Sequence, residues 1–335
     1  MIEICISNHT TKRDKQMNRE KLEYYINNTE QLKAEANAIC RKHYGNKVFL
    51  RGLIEFSNMC QMDCLYCGIR KSNSSVHRYK LDIDTIVAVV KKGYESGLKT
   101  FVLQSGESDE YSITELCTLS ETIKNITNGE VAITLSCGIK SKEKFKELKK
   151  AGADRYLLRF ETSDPQLHTY LRNGTTLEKR LRALHDLKET GFEVGSGFMT
   201  GLPGETEKIF LDNIELCEKM QFDMVGIGPF IPDDNTPLAH SIVPDLHKTL
   251  LAVGLIRLTL PLSNIPATTA AGSVDNTGRE QMLEWGANVL MPNITPVEYK
   301  KDYLLYPGKI CLDESGFECI GCLAGRVATV NKELY

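Results

Sequence analysis

Between residues 51 and 291, apolar β-rich runs alternate with amphipathic helical stretches eight times. The runs cover 51–56, 100–105, 131–137, 155–161, 193–201, 224–230, 265–270 and 287–291. Helix-period segments separate them at 82–96, 113–126, 141–151, 177–190, 207–219, 247–260 and 278–285. Such alternation predicts a parallel sheet with right-handed crossovers. Eight units predict closure into an α/β, (β/α)8 TIM-type barrel, whose chemistry sits at the C-terminal ends of the strands. An open doubly wound sheet fits less well, because the first strand–helix loop has no G-x-G-x-x-G phosphate cradle. A barrel of about 250 residues leaves room in 335 for flanking segments. The expected division is an N-terminal helical segment (1–45), the barrel (46–293) and a C-terminal extension carrying accessory cysteines (294–335).

Composition removes several function classes. The formal net charge of −3 provides no basic field for nucleic acid. No apolar run reaches the roughly 18 residues of a membrane span, and the Lys-, Glu- and Asn-rich start lacks the layout of a secretory signal. A cytoplasmic protein is expected, with neither a nucleic-acid nor a membrane partner. Eleven cysteines in such a chain argue for reduced thiols and metal binding. Six fall in two tight clusters; Cys5, Cys40, Cys117, Cys137 and Cys217 are scattered and read as packing residues, with Cys137 at a strand end the one to watch.

The first cluster, Cys60-x3-Cys64-x2-Cys67 with Tyr66 before its last member, directly follows the first barrel strand. Thiolates are the usual ligands of iron–sulfur clusters. Three of them on a four-iron cluster leave one iron open to a small chelate. Zinc would want a fourth ligand and usually paired C-x2-C units, and the next histidine downstream, His77, is well outside the loop. The spacing and the aromatic resemble the signature of the radical S-adenosylmethionine (SAM) superfamily. That resemblance implies a 4Fe–4S cluster whose open iron is chelated by SAM, and reductive cleavage to a 5′-deoxyadenosyl radical. It also implies that Tyr66 lies near the adenine.

Other strand ends carry polar chemistry. In 155–161, alternation puts Arg155, Leu157, Arg159 and Glu161 on one face. Charges inside a barrel need partners or a charged ligand, and arginine's planar fork suits a carboxylate. Solvent pairing at the strand end is the simpler alternative. Gly106-Glu107 after the second strand resembles the superfamily's element at the methionine amino group. Thr134 and Ser136 share a face before Cys137, glycines punctuate 195–204, and Thr268 and Thr269 are adjacent hydroxyls. Arg180 on a helix reads by itself as a solvated charge. The second cluster, Cys311-x7-Cys319-x2-Cys322, can hold an accessory 2Fe–2S or 4Fe–4S cluster, zinc with a fourth ligand, or no metal.

Longer strings narrow the resemblance. Ile54–Asn58, Gly152–Arg159, Asp223–Pro232, Asn264–Thr269, Gly286–Asn293 and Tyr306–Cys311 are similar to the HydE family of FeFe-hydrogenase maturases. This implies Cys60, Cys64 and Cys67 at the SAM cluster, with Ser136, Glu161 and Arg180 at SAM. Arg155, Arg159, Thr268, Thr269 and Met291 would line the substrate cavity, while the accessory cysteines are dispensable. Implied too are assembly of the diiron subsite (H-cluster) from a cysteine-bound iron carbonyl–cyanide precursor, a reduced electron donor, and the partner maturases HydF and HydG. One departure is Phe160, where the family has histidine; its parity turns it toward the helix layer. A methylornithine synthase-like or biotin synthase-like enzyme acting on an amino-acid-derived substrate is the alternative, and a non-catalytic scaffold that carries an iron cluster is a further one.

Overall fold

The alternation becomes a ring of parallel strands. The computed structural model describes residues 17–243 and 245–335, so Cys5 lies outside the described residues. After α1 (Arg19–Asn27) and α2 (Thr29–Tyr44) come β1 (Lys47–Leu50), β2 (Gly52–Ser57), α3 (Ile83–Glu95), β3 (Thr100–Ser105), α4 (Ile113–Ile126) and β4 (Ala132–Ser136). The chain continues through α5 (Lys142–Lys150), β5 (Arg155–Leu157), α6 (Pro165–Leu171), α7 (Leu177–Glu189), β6 (Glu193–Thr200), α8 (Glu207–Met220) and β7 (Met224–Pro229). It ends with α9 (Leu246–Thr259), α10 (Thr269–Val274), α11 (Gly278–Glu284), β8 (Val289–Leu290), α12 (Val297–Lys300), α13 (Gly316–Ala328) and β9 (Glu333–Leu334).

Strands β2 to β7 form a six-stranded parallel sheet in sequence order. Single bridges close the ring: Met224 with Asn264, Pro266 with Val289, and Leu53 with Asn293, while β1 pairs with β8. The helices α3 to α9 each start at a side-chain N-cap, namely Asp82, Ser112, Ser141, Asp164, Thr176, Thr206 and Asp245. Each cap satisfies a backbone N–H that the first turn leaves open, so each crossover has a defined start. Helix α9 is apolar almost all round and nearly entirely buried, as expected of a helix covered on both sides. The barrel covers one side; α2 covers the other, with Leu32 seated on Gly254.

Three expected strands are much shorter than predicted, and 287–291 is regular only at Val289–Leu290. The run 155–161 is regular only through Leu157 and touches the sheet again at a Glu161–Phe198 bridge. Between them the backbone turns, and Glu161 has φ +66°, a left-handed conformation uncommon outside glycine. The run 265–270 makes only bridges: Pro266 has no N–H to donate, and Thr268 caps α10 by accepting from the Ala271 N–H. Among the described residues no helix is long and apolar enough to cross a membrane.

Candidate active site

The loop after β2 is held in shape from several sides. The Asn58 amide donates to the carbonyls of His77 (2.7 Å) and Asp302 (2.6 Å) and accepts from the Tyr79 N–H. Arg78 gathers both ends of the loop, donating to the carbonyls of Asn58 (2.7 Å), Ile69 (2.8 Å), Arg70 (2.7 Å) and Asn73 (3.3 Å). Inside it, Asp63 accepts from Arg70 and Ser72, and the Arg70 guanidinium holds its carboxyl well below the usual range. Two glycines allow close approach. A Cβ on Gly106 would lie 2.8 Å from Cys60 Cβ, and one on Gly68 would meet the Leu304 carbonyl.

This loop brings Cys60, Cys64 and Cys67 to the mouth of a cavity of about 330 Å³ inside the barrel. Burial raises the pKa of the Cys64 and Cys67 thiols, and the neighbouring cysteines raise that of Cys67 further. Beside them, Glu107 Oε2 accepts from Arg172 (3.0 Å) and Arg180 (2.9 Å). Burial alone would raise the Glu107 pKa; Arg180 and Arg172 outweigh it and lower it. Arg172 also donates to the Tyr66 hydroxyl at 3.1 Å. Burial disfavours the Arg172 charge, but Tyr66, Cys64, Glu107 and Glu161 around it raise its pKa above the usual value. A buried carboxylate beside guanidinium groups matches the two charges of an amino-acid head.

Deeper in the cavity, Arg159 pairs with Glu161 at 3.1 Å. Gly106, Thr134, Ser136, Thr268 and Met291 line it too, with Arg51 and Met224. Two expected members do not join them. Arg155 sits at the start of β5 and pairs with Glu193 at 2.5 Å, away from the lining, because strand parity sets the face and not the depth. Thr269 points into a second cavity, since α10 begins there and turns it from its neighbour. Phe160 is fully buried and stacks on Phe198 at 5.8 Å between ring centres. Arg180, read alone as solvated, is 2% exposed. Cys40, Cys137 and Cys217 are buried and Cys117 partly so.

The second cavity, about 220 Å³, contains Cys311, Cys319 and Cys322 and shares Met291 with the first. Cys319 and Cys322 lie one turn apart on α13, and the Cys319 thiol donates to Glu314 at 3.2 Å. Burial and that carboxylate push the Cys319 pKa up to about 12. Buried Lys300 holds the intervening turn through the carbonyls of Glu314 (2.6 Å) and Cys311 (3.4 Å).

Residues 54–217 match the radical SAM superfamily. The FeFe hydrogenase maturase subunit HydE of Thermotoga maritima is 47% identical over 298 residues, which is 89% of this chain and 85% of the relative. The chain belongs to the radical SAM superfamily and, within it, to the HydE family. A 3-methylornithine synthase of Methanosarcina acetivorans is 27% identical over 82% of this chain and 78% of the relative. Among solved structures, methylornithine synthase (PylB) has a TM-score of 0.84 at 23% identity, covering 96% of this chain and 94% of that one. The maturase HydG of Carboxydothermus hydrogenoformans has a TM-score of 0.73 at 20% identity, covering 91% and 71%. These two show a shared barrel fold.

A radical SAM family implies a 4Fe–4S cluster with SAM, and the residues present fit that group. Among the described residues no three His, Cys, Asp or Glu side chains converge on a single ion, whereas cluster cysteines each bind a different iron. Buried thiols that resist ionisation on their own gain compensating charge from bound metal. The residue that sequence reading missed here is Arg172. Its signal was Asp164-Pro165, an N-cap followed by proline that starts the seven-residue helix α6 and places Arg172 at its end.

Proposed function

We propose that this chain is a HydE-type maturase that works on a small substrate in the barrel cavity during assembly of the diiron subsite of FeFe-hydrogenase. One observation carries the reading. In a chain 47% identical to a HydE, a single cavity holds the three cysteines at its mouth and the Arg159–Glu161 pair inside. Cys60, Cys64 and Cys67 hold the 4Fe–4S cluster. Glu107 and Arg180 receive the amino and carboxylate groups of SAM, and Tyr66, Gly106, Ser136 and Glu161 complete its site. When bound, the cluster and SAM supply a 5′-deoxyadenosyl radical.

The chain's own residues do the rest. The closed barrel keeps bulk water from the radical, as cofactor chemistry of this kind requires. Arg159 presents its fork to a substrate carboxylate, with Glu161 as its partner while the cavity is empty; Thr268 and Met291 contribute wall. The substrate is a cysteine-bound iron carbonyl–cyanide species. A reduced electron donor in the cytoplasm supplies the electron, and HydF and HydG are the partner maturases. Cys311, Cys319 and Cys322 hold an accessory cluster that the reaction does not need. Methylornithine synthase-like or biotin synthase-like chemistry is disfavoured by identities of 27–31%, against 47% for the HydE relative.

The test is anaerobic reconstitution with iron and sulfide, then release of 5′-deoxyadenosine from SAM under dithionite, together with activation of an FeFe-hydrogenase in an extract lacking its own HydE. Failure to cleave SAM refutes the enzyme. Cleavage without hydrogenase activation refutes the maturase.

A further inference from the structure

The ion-pair group at the cavity has two guanidinium groups sharing one carboxylate oxygen. Arg172 and Arg180 both donate to a single Glu107 oxygen, at 3.0 and 2.9 Å, and both are over nine-tenths buried. Two guanidinium groups on one carboxylate leave a surplus positive charge out of water, which is costly unless an anion completes the set. Nearby, Arg159 pairs with Glu161, yet the Arg159 Nη2 and Glu161 Oε2 have no hydrogen-bond partner among the described residues. The group therefore has both guanidinium and carboxylate capacity to offer a ligand that carries one carboxylate and one ammonium.

The two arginines are not equivalent. Arg172 makes a second bond to the Tyr66 hydroxyl at 3.1 Å, and its own N–H closes α6 on the His168 carbonyl at 2.8 Å. The neighbouring Leu171 carbonyl accepts from the Leu65 N–H of the cluster loop at 2.8 Å. Among the described residues the Arg180 side chain has no hydrogen-bond partner besides Glu107; the buried Nε is unpaired in both arginines, so the Tyr66 bond is what distinguishes Arg172. Releasing the Arg180 side chain breaks one bond, while releasing that of Arg172 breaks two, one of them to Tyr66 in the loop that carries the cysteines.

We propose that Arg172 is the fixed positioning residue of the SAM head-group site and Arg180 the exchangeable one. On binding, Arg180 leaves Glu107 for the ligand carboxylate, and the ligand ammonium takes its place on Glu107. Arg172 keeps Glu107 and Tyr66 where they were throughout. This rests on the assignment of SAM to the cavity. It adds that recognition of the amino-acid head depends on a residue that need not touch the head.

Calorimetric titration of cluster-reconstituted protein, left oxidised so that SAM is not cleaved, tests it. The ligands are SAM, S-adenosylhomocysteine, which keeps the amino-acid head, and 5′-methylthioadenosine, which lacks it. Losing a charge-assisted bond predicts that Arg172→Gln weakens the first two by about ten- to a hundredfold and leaves the third unchanged. Arg172→Lys, keeping the charge but not the fork, should restore part of that loss. Iron content and cluster absorbance confirm that the loop is intact, and the Lys variant decides the matter if the Gln variant loses its cluster. An equal loss for all three ligands would make Arg172 a mere support of the loop and overturn the proposal, as would undiminished binding of SAM. Wild-type protein that binds no SAM would overturn the cavity assignment itself, and this inference with it.

Discussion

Gly106 is the most economical place to disturb the cysteine loop without replacing a cysteine. Adding one methyl there puts a carbon 2.8 Å from Cys60 Cβ and 2.9 Å from the Met59 carbonyl carbon. Carbon atoms in contact prefer about 3.5–4.0 Å, so the loop must retreat by roughly 0.8 Å at the first cysteine. Neither neighbour is a flexible side-chain end; one is backbone and the other is the Cβ of Cys60. Overpacking of this kind costs about 1–3 kcal/mol. In a chain of this size that lowers Tm by only a few degrees. Catalytic geometry is far less forgiving, since about 1 Å of misplacement can cost about a hundredfold. Gly106→Ala should therefore melt within a few degrees of the wild type yet cleave SAM some ten- to a hundredfold more slowly, with a lower iron content after reconstitution. Differential scanning calorimetry, iron analysis and 5′-deoxyadenosine release on one preparation give all three values. Wild-type cleavage by Gly106→Ala would refute the claim that the loop is seated on β3 at this point.

Changing Cys311, Cys319 and Cys322 together to Ser should lower bound iron while SAM cleavage persists, measured by iron analysis beside product release; loss of cleavage in the folded variant would make the second cavity essential. Arg159→Lys keeps the charge but loses the fork, so it should weaken the substrate by about ten- to a hundredfold and SAM much less, by titration of each ligand. His168 is fully buried with Nδ1 against the Phe160 carbonyl, and burial lowers its pKa to about 4. A histidine depressed on folding contributes stability above its unfolded pKa, near 6.5, and loses it as pH falls toward the folded value. About 2 kcal/mol should be gone by pH 5, so the fall in Tm between pH 7 and 5 should be shallower in His168→Gln; parallel curves would contradict this.

Helices were legible in the sequence because cap residues and 3.6-residue periodicity agree at their starts, as at Ser112 with its capping box to Glu115. The cysteine loop was legible because three cysteines with the superfamily's spacing lie within eight positions of chain. Arg180 was partly legible. It shares the inward stripe of α7 with Leu177, Ala183, Leu184 and Leu187, and a charge on an apolar stripe points to a buried partner. Its partner, Glu107, lies 73 positions away, and no local pattern shows that pairing. Arg155, which the resemblance put at the cavity and strand parity left as either a cavity or an ion-pair residue, pairs with Glu193. Period-two reasoning assigns a side chain to a face, whereas function depends on depth along the barrel axis. The turn at Glu161 was hidden because a charged residue in a left-handed conformation has no reliable signature.

The cavity is also completed from a distance. Tyr303, Leu305 and Tyr306, beyond the last barrel strand, line it. The same segment grips the cofactor loop: the Asp302 carbonyl accepts from Asn58, and the Leu305 carbonyl from the Gly68 N–H at 2.9 Å. It is locked by Lys309, which pairs with Glu55 of β2 at 2.6 Å; both side chains are almost wholly buried, and Asn293 donates to the other Glu55 oxygen at 2.7 Å. A carboxylate inside the first strand is tolerable only while those donors stay in place, because an unpaired buried charge costs about 3–5 kcal/mol. The barrel therefore depends on residues past 293 for both its walls and its charge balance. Two positions beyond Lys309, Cys311 lines the second cavity, which shares Met291 with the first, so the segment that lines the first cavity leads directly into one of the three thiols of the second.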